Sequence, residues 1–135
     1  MELINKGVSI KTLRDRKIIA HAVTDVPGGV VLDMTGYKGK QLYAGQPVYI
    51  EDLDGKENYK PLNIATDEDN GKQGSFEAIP ESVEFVGVIT QSKRNDEPNV
   101  GITRSGQVNK YACYIEITKE IEEALELIDF NGIKR

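Results

Sequence analysis

Only a few residues in this chain have the chemistry of a catalyst. Cys113 and His21 are its sole cysteine and sole histidine. Together they could make a thiolate–imidazole pair, but such a nucleophile needs a base within hydrogen-bond reach and a third group to orient the ring. Cys113 lies in the apolar run YACYIEI, with no glycine-rich elbow or helix start to lower its pKa. His21 lies in the strand-like run IIAHAV. A buried core thiol is the expected role of Cys113.

A structural zinc site wants four nitrogen or sulfur ligands, and two such residues do not supply them. Two acidic turns, Asp52-Leu-Asp54-Gly55 and Asp67-Glu68-Asp69-Asn70-Gly71, carry the oxygen atoms that calcium prefers. An EF-hand loop needs glycine at its sixth position. Counting from Asp67 that position holds Lys72, and counting from Asp52 it holds Glu57. Acidic turns explain both. Gly36-Tyr-Lys-Gly39-Lys-Gln lacks the spacing of a phosphate-binding loop, and no carboxylate pair stands out as an acid–base couple. No catalytic residue, metal or cofactor is expected, and an enzyme is the weakest reading.

Charge narrows the partners. Lys and Arg number 17 against 22 Asp and Glu, a net charge of -5, so the chain lacks the basic footprint of a nucleic-acid binder. Lys11 to Lys17 (KTLRDRK) is the only dense basic stretch, and Asp15 interrupts it with no aromatic residue among the cations. A solvated arm is the simpler account. No apolar run approaches the roughly 18 residues of a membrane span. The first residues, MELINKGVSIKTLRDRK, mix charges with apolar groups, unlike a secretory signal, and a lone cysteine suits a reducing compartment or simple indifference to redox.

The elements that must position these groups read as mainly β. At 135 residues the chain is one domain's length, able to bury roughly two-thirds of its unfolded surface. Its 13 glycines are spread out and punctuate short runs rich in Val, Ile and Tyr. Strands are expected at Ile18–Val23, Gly29–Met34, Pro47–Leu53, Glu84–Thr90, Val100–Gly106 and Tyr111–Ile117. Turns are marked by Pro27-Gly28-Gly29, Asp54-Gly55, Asn70-Gly71 and Ser105-Gly106. Pro47 suits a strand start, and Val48 and Ile50 alternate with Tyr49 and Glu51. A hairpin about Asp54-Gly55 should return through YKPLNI. Ala65 to Ser75 reads as the longest loop, and Lys93 to Asn99 as a second.

One helix is expected. After Thr118, apolar residues at Ile121, Ala124, Leu125 and Ile128 recur at i, i+3, i+4 and i+7. Thr118 is the N-cap, the first turns are acidic apart from Lys119, and Asn131-Gly132 is the stop. Glu122, Glu123 and Glu126 form the polar face. The expected fold class is therefore mainly β (α+β): a small sheet or barrel-like domain with one C-terminal amphipathic helix.

Three stretches in order resemble a known family. YKGKQLYAGQPVYIEDLDGKENYKPLNI (Tyr37 to Ile64) carries an Ala-Gly-x-Pro-Val strand, an Asp-Gly turn and a return strand. EFVGVITQSKRNDEPNVGITRSGQVN (Glu84 to Asn109) carries an apolar VGVI strand, a polar loop and TRSGQV. YACYIEIT then leads through an acidic helix to DFNGIKR. From about Tyr37 to the C-terminus the chain resembles the lambda-type head decoration proteins of bacteriophages, or the related base domain of a phage head fibre.

The resemblance implies a β-rich domain made in the bacterial host cytoplasm and mounted on the virion surface. It implies a homotrimer that binds the major capsid protein at local threefold sites and reinforces the shell. In that family an N-terminal arm adds a strand to a capsid-protein edge. Residues 37–135 would be the decoration-like part, and residues 1–36 an N-terminal arm with the first strands, all in a single globular domain. The arm here departs from the Ser/Thr/Pro-rich arm of the best-known member, because GVSIKTL and KIIAHAV are apolar-bearing. Val8, Ile10 and Leu13 are the candidate capsid-binding residues, with Val8 and Ile10 alternating as an edge-pairing strand requires. Residues 1–16 could equally complete the domain's own sheet, which is the favoured role of Ile18–Met34. The alternative function is a small β-barrel module that binds a ligand or partner inside a larger cellular complex.

Overall fold

The computed structural model describes residues 18–25, 29–53, 56–70, 72–81 and 83–130. The chain is mainly β. The principal sheet combines β1 (Ile19–Asp25), β3 (Pro47–Leu53), β4 (Lys56–Pro61), β7 (Glu84–Ile89) and β9 (Ile102–Val108) in the order β1-β9-β7-β3-β4. All these neighbours are antiparallel. A short β10 (Ile128–Asp129) pairs parallel with β9. Two ribbons lie apart from it: β2 (Val30–Val31) with β8 (Asn99–Val100), and β5 (Ile64–Thr66) with β6 (Ser75–Phe76).

Of the two expected forms, sheet or barrel-like, the principal sheet is open: among the described residues β1 and β4 stand at opposite edges and do not pair. The β3–β4 hairpin runs in unbroken register from Val48–Pro61 to Leu53–Lys56, as its alternation and return strand require. Its turn, Asp54-Gly55, falls outside the described residues.

Alternation along β3 does not divide core from solvent. Val48 is buried in a cluster with Leu32, Leu42, Ile89, Val100 and Ile102. Tyr49, next to it, is buried in a second cluster with Val88, Val108, Ile121 and Leu125. The sheet therefore has apolar cover on both faces: the β2–β8 ribbon contributes to one cluster and the helix to the other.

Three expected elements are shorter or different. Of Gly29–Met34 only Val30–Val31 pairs as strand, and Val100–Gly106 is divided between β8 and β9. Tyr111–Ile117 is not a strand. Cys113, Tyr114 and Ile115 are nonetheless all buried in succession. The backbone here turns (Ala112 N–H to Asn109 C=O, 3.1 Å) and makes one parallel bridge between Ile115 and Gly74.

The helix α1 covers Lys119–Ala124 only, with Thr118 as N-cap accepting from the Ile121 amide at 3.4 Å. Leu125 leaves helical geometry at φ -110°, ψ 66°, and the chain turns so that Ile128 joins the β9 ladder. The expected stop at Asn131-Gly132 lies outside the described residues. Ile121, Leu125 and Ile128 are all buried as their spacing implies, and the turn after Leu125 carries the last of them to the core, whereas Ala124 is exposed. Helix propensity gave way to a sheet partner. Of the acidic residues, Glu123 and Glu126 are exposed, while Glu122 is half-buried and pairs with Lys110 at 3.1 Å.

Candidate functional site

Two regions gather polar groups. The first is a buried knot around the turn Tyr43–Gln46, where the Gln46 amide donates to the Tyr43 carbonyl at 3.1 Å. Gly45 takes φ +85°, the left-handed region open to glycine, and an added Cβ would sit 3.0 Å from the Cys113 sulfur and the Ile18 side chain. The turn thus delivers Pro47 to the start of β3. Gln46, 1% exposed, accepts from the Tyr43 amide (3.0 Å) and donates through Nε2 to the Leu62 carbonyl (2.9 Å) and the Tyr37 hydroxyl (3.1 Å). Tyr37 in turn donates to the Gln41 carbonyl at 2.5 Å.

Nearby, the Tyr43 hydroxyl donates to Asp67 Oδ1 at 2.6 Å, and Asp67 Oδ2 accepts from the Lys40 amide at 3.0 Å. Burial first, then the Asp67 carboxylate, pushes the Tyr43 hydroxyl far above the ordinary phenol range. Burial does the same to Tyr37. The knot ties the Tyr43–Gln46 turn to Leu62 and to Asp67. Asp67 is already committed to Tyr43 and Lys40. Among the described residues no cluster of three His, Cys, Asp or Glu could hold a metal ion.

Beside the knot, Asp33 accepts from the Thr35 hydroxyl (2.7 Å), the Thr35 amide (3.0 Å) and Asn58 Nδ2 (2.7 Å). The Thr35 hydroxyl leads these donors in holding the carboxyl down at about 2. Cys113 is buried, and its thiol donates to the Asn109 carbonyl at 3.6 Å. His21 stands opposite Gln107 in the β1–β9 ladder.

The second region is a groove of about 460 Å³. Its origin is a split in the principal sheet. Among the described residues, on one side of β9, β7 pairs at Thr103 and Ile102 and β10 pairs at Gly106 and Gln107. On β7, Val86 is an extra residue: Val48 faces Gly87 while its neighbour Tyr49 faces Phe85. Such a bulge bends the strand and raises its twist. Gly87 allows β9 to cross closely, since a Cβ there would run into the Thr103 carbonyl. From Val86 back to Glu84, β7 therefore peels away from β9.

The groove's walls are Val83 to Val86 on one side and Ala124 to Leu127 on the other, with Ile79 and Arg104 completing it. Leu127 is 72% exposed, a large apolar side chain with little cover. Sequence reasoning passed over this region. Its one signal was Leu127 itself, an apolar residue off the stripe formed by Ile121, Leu125 and Ile128.

The candidate capsid-binding residues Val8, Ile10 and Leu13 lie outside the described residues. The basic stretch Lys11 to Lys17 lies there too. No helix among the described residues is long and apolar enough to cross a membrane. Compared with protein-family models, curated proteins and solved structures, the chain matches none of them.

Proposed function

We propose that this chain is a structural virion protein that binds the outer surface of a phage capsid and stabilises it, as a head decoration domain or the base domain of a head fibre. The observation that supports the reading is the adjacency of the family-like segments. The Ala44-Gly45-x-Pro47-Val48 turn opens β3, VGVI lies on β7, and TRSGQV lies on β9; these three strands are neighbours in one sheet. A sheet covered by apolar residues on both faces is a rigid mount, and a cement protein works by shape and attachment rather than by reactive groups.

The partners in this reading are the major capsid protein and two further copies of the chain. Val8, Ile10 and Leu13 make the contact by strand addition to a capsid edge. Three arms on one trimer bind more tightly than one, because the second and third engagements are intramolecular. The acidic charge keeps the free protein soluble and off loose DNA.

The test uses expanded heads of the phage that encodes this chain. Purified protein should trimerise, in solution or on the shell, and co-sediment with those heads. Deleting residues 1–16 should abolish binding while circular dichroism and the melting transition stay unchanged. A stable monomer that ignores the heads would sink the reading. The β7–β10 groove favours a second reading, a partner- or ligand-binding module of a cellular complex. In that case a small molecule or a cellular partner, rather than the shell, should raise the melting temperature.

A further inference from the structure

From Glu84 to Val86 no strand among the described residues pairs with the β9-facing edge of β7, and β10 meets β9 further along that same side. The space between is the groove. Strand edges with apolar walls are the ingredients of β-augmentation, in which a partner's main chain supplies the ladder and its alternate side chains fill the walls. The apolar lining, Val83, Phe85, Leu125 and Leu127 above all, would receive every second side chain of such a segment.

Charge specifies the occupant further. Glu84 on one wall and Glu126 on the other are both exposed, and exposed Glu81 and Glu123 lie close by in sequence. Arg104 is the single cation of the lining, and no described carboxylate forms an ion pair with it. Its guanidinium can donate to main-chain carbonyls of an added strand. The rim is acidic at both walls.

We propose that this split in the sheet is a docking site for an extended segment of a partner polypeptide, apolar at alternate positions and flanked by Lys or Arg, which adds as a strand along β7. The proposal does not depend on the capsid reading. It needs only the open β7 edge, the apolar walls and the acidic rim.

The test is a titration of the full chain, 15N-labelled, with three synthetic peptides. They are KVTVTVK, its acidic counterpart EVTVTVE, and KVTPTVK, whose central proline removes a ladder donor. The expected result is a saturable shift of the amides of Phe85, Val86, Arg104 and Leu127 by KVTVTVK. Binding should be at least tenfold weaker for each of the other two. Leu127→Ser changes an exposed side chain, so the fold survives it, and it should weaken KVTVTVK binding several-fold. Glu84→Lys combined with Glu126→Lys should reverse the preference between the basic and acidic peptides.

Equal binding of all three peptides, no shift at these amides, or shifts confined to the β1 or β4 edges would overturn the proposal. Concentration-dependent broadening at the same amides without peptide would assign the groove to a second copy of the chain, and would overturn it as well.

Discussion

Replacing Gln46 by Leu tests whether the buried knot or the apolar core governs the stability of this fold. Leu matches the side chain closely in size, so no large cavity forms, and the change isolates hydrogen bonding from packing. Gln46 serves the Tyr43 amide, the Leu62 carbonyl and the Tyr37 hydroxyl. Tyr37 keeps its bond to the Gln41 carbonyl, so two backbone groups lose their partner. Each orphaned buried group costs about 1–3 kcal/mol. Against that, fully burying a Leu side chain contributes about 1.5–3 kcal/mol. The net is a loss of about 2 kcal/mol, which at this chain length lowers the melting temperature by about 6–10 °C.

Urea unfolding read by circular dichroism should show a lower midpoint with an unchanged slope, the mark of lost stability without a changed denatured state. A companion variant, Gln46→Glu, gives the sign of the electrostatics. An ionised carboxylate would face the Leu62 carbonyl in a buried site, so its folded pKa is raised above the unfolded value near 4.3. Its stability is therefore fully present below about pH 4 and declines as pH rises through the folded pKa. A neutral or stabilising Gln46→Leu would refute the reasoning, because the bonds of Gln46 would then contribute nothing beyond its bulk.

Two further outcomes follow from the same region. Asp33 has its carboxyl held down at about 2 by Thr35 and Asn58, so the stability it contributes is present above the unfolded pKa near 3.8 and is lost as pH falls from about 4 to 2. After allowance for solvent screening that contribution is about 1 kcal/mol, and Asp33→Asn should flatten this part of a stability–pH profile measured by urea midpoints; an unchanged profile would count against the account. Gly45→Ala should destabilise by about 1–3 kcal/mol, since it combines a left-handed backbone position with a Cβ crowded by Cys113 and Ile18, and a melting temperature within 1 °C of the parent would contradict that geometry.

Local signals suffice where a residue's neighbours in sequence decide its conformation. Pro47–Leu53 and its return strand follow from alternation and an Asp-Gly turn, and Thr118 caps a helix because its hydroxyl reaches the Ile121 amide one turn away. Tyr111–Ile117 has the composition of a strand but not its geometry, because a turn at Asn109–Ala112 and the Gly74 bridge place three consecutive side chains in the core. The groove was hardly legible at all. It arises from pairings of β9 with β7 and with β10, and from a bulge at Val86 that shows only against β3.

The sequence by itself determined a mainly β domain with an acidic amphipathic helix near the C-terminus, and it supplied the family resemblance from which the capsid reading comes. Period-two patterns, turn residues and a cap are written in neighbouring residues, so they survive being read one window at a time. Only the tertiary structure decided that the sheet is open, that its two faces are both covered, and that the helix ends at Ala124 so that Ile128 can pair with Gly106. Those outcomes depend on contacts between residues distant in the chain, where burying Ile128 beside β9 outweighs the few tenths of a kcal/mol per residue by which helix propensity favours another turn.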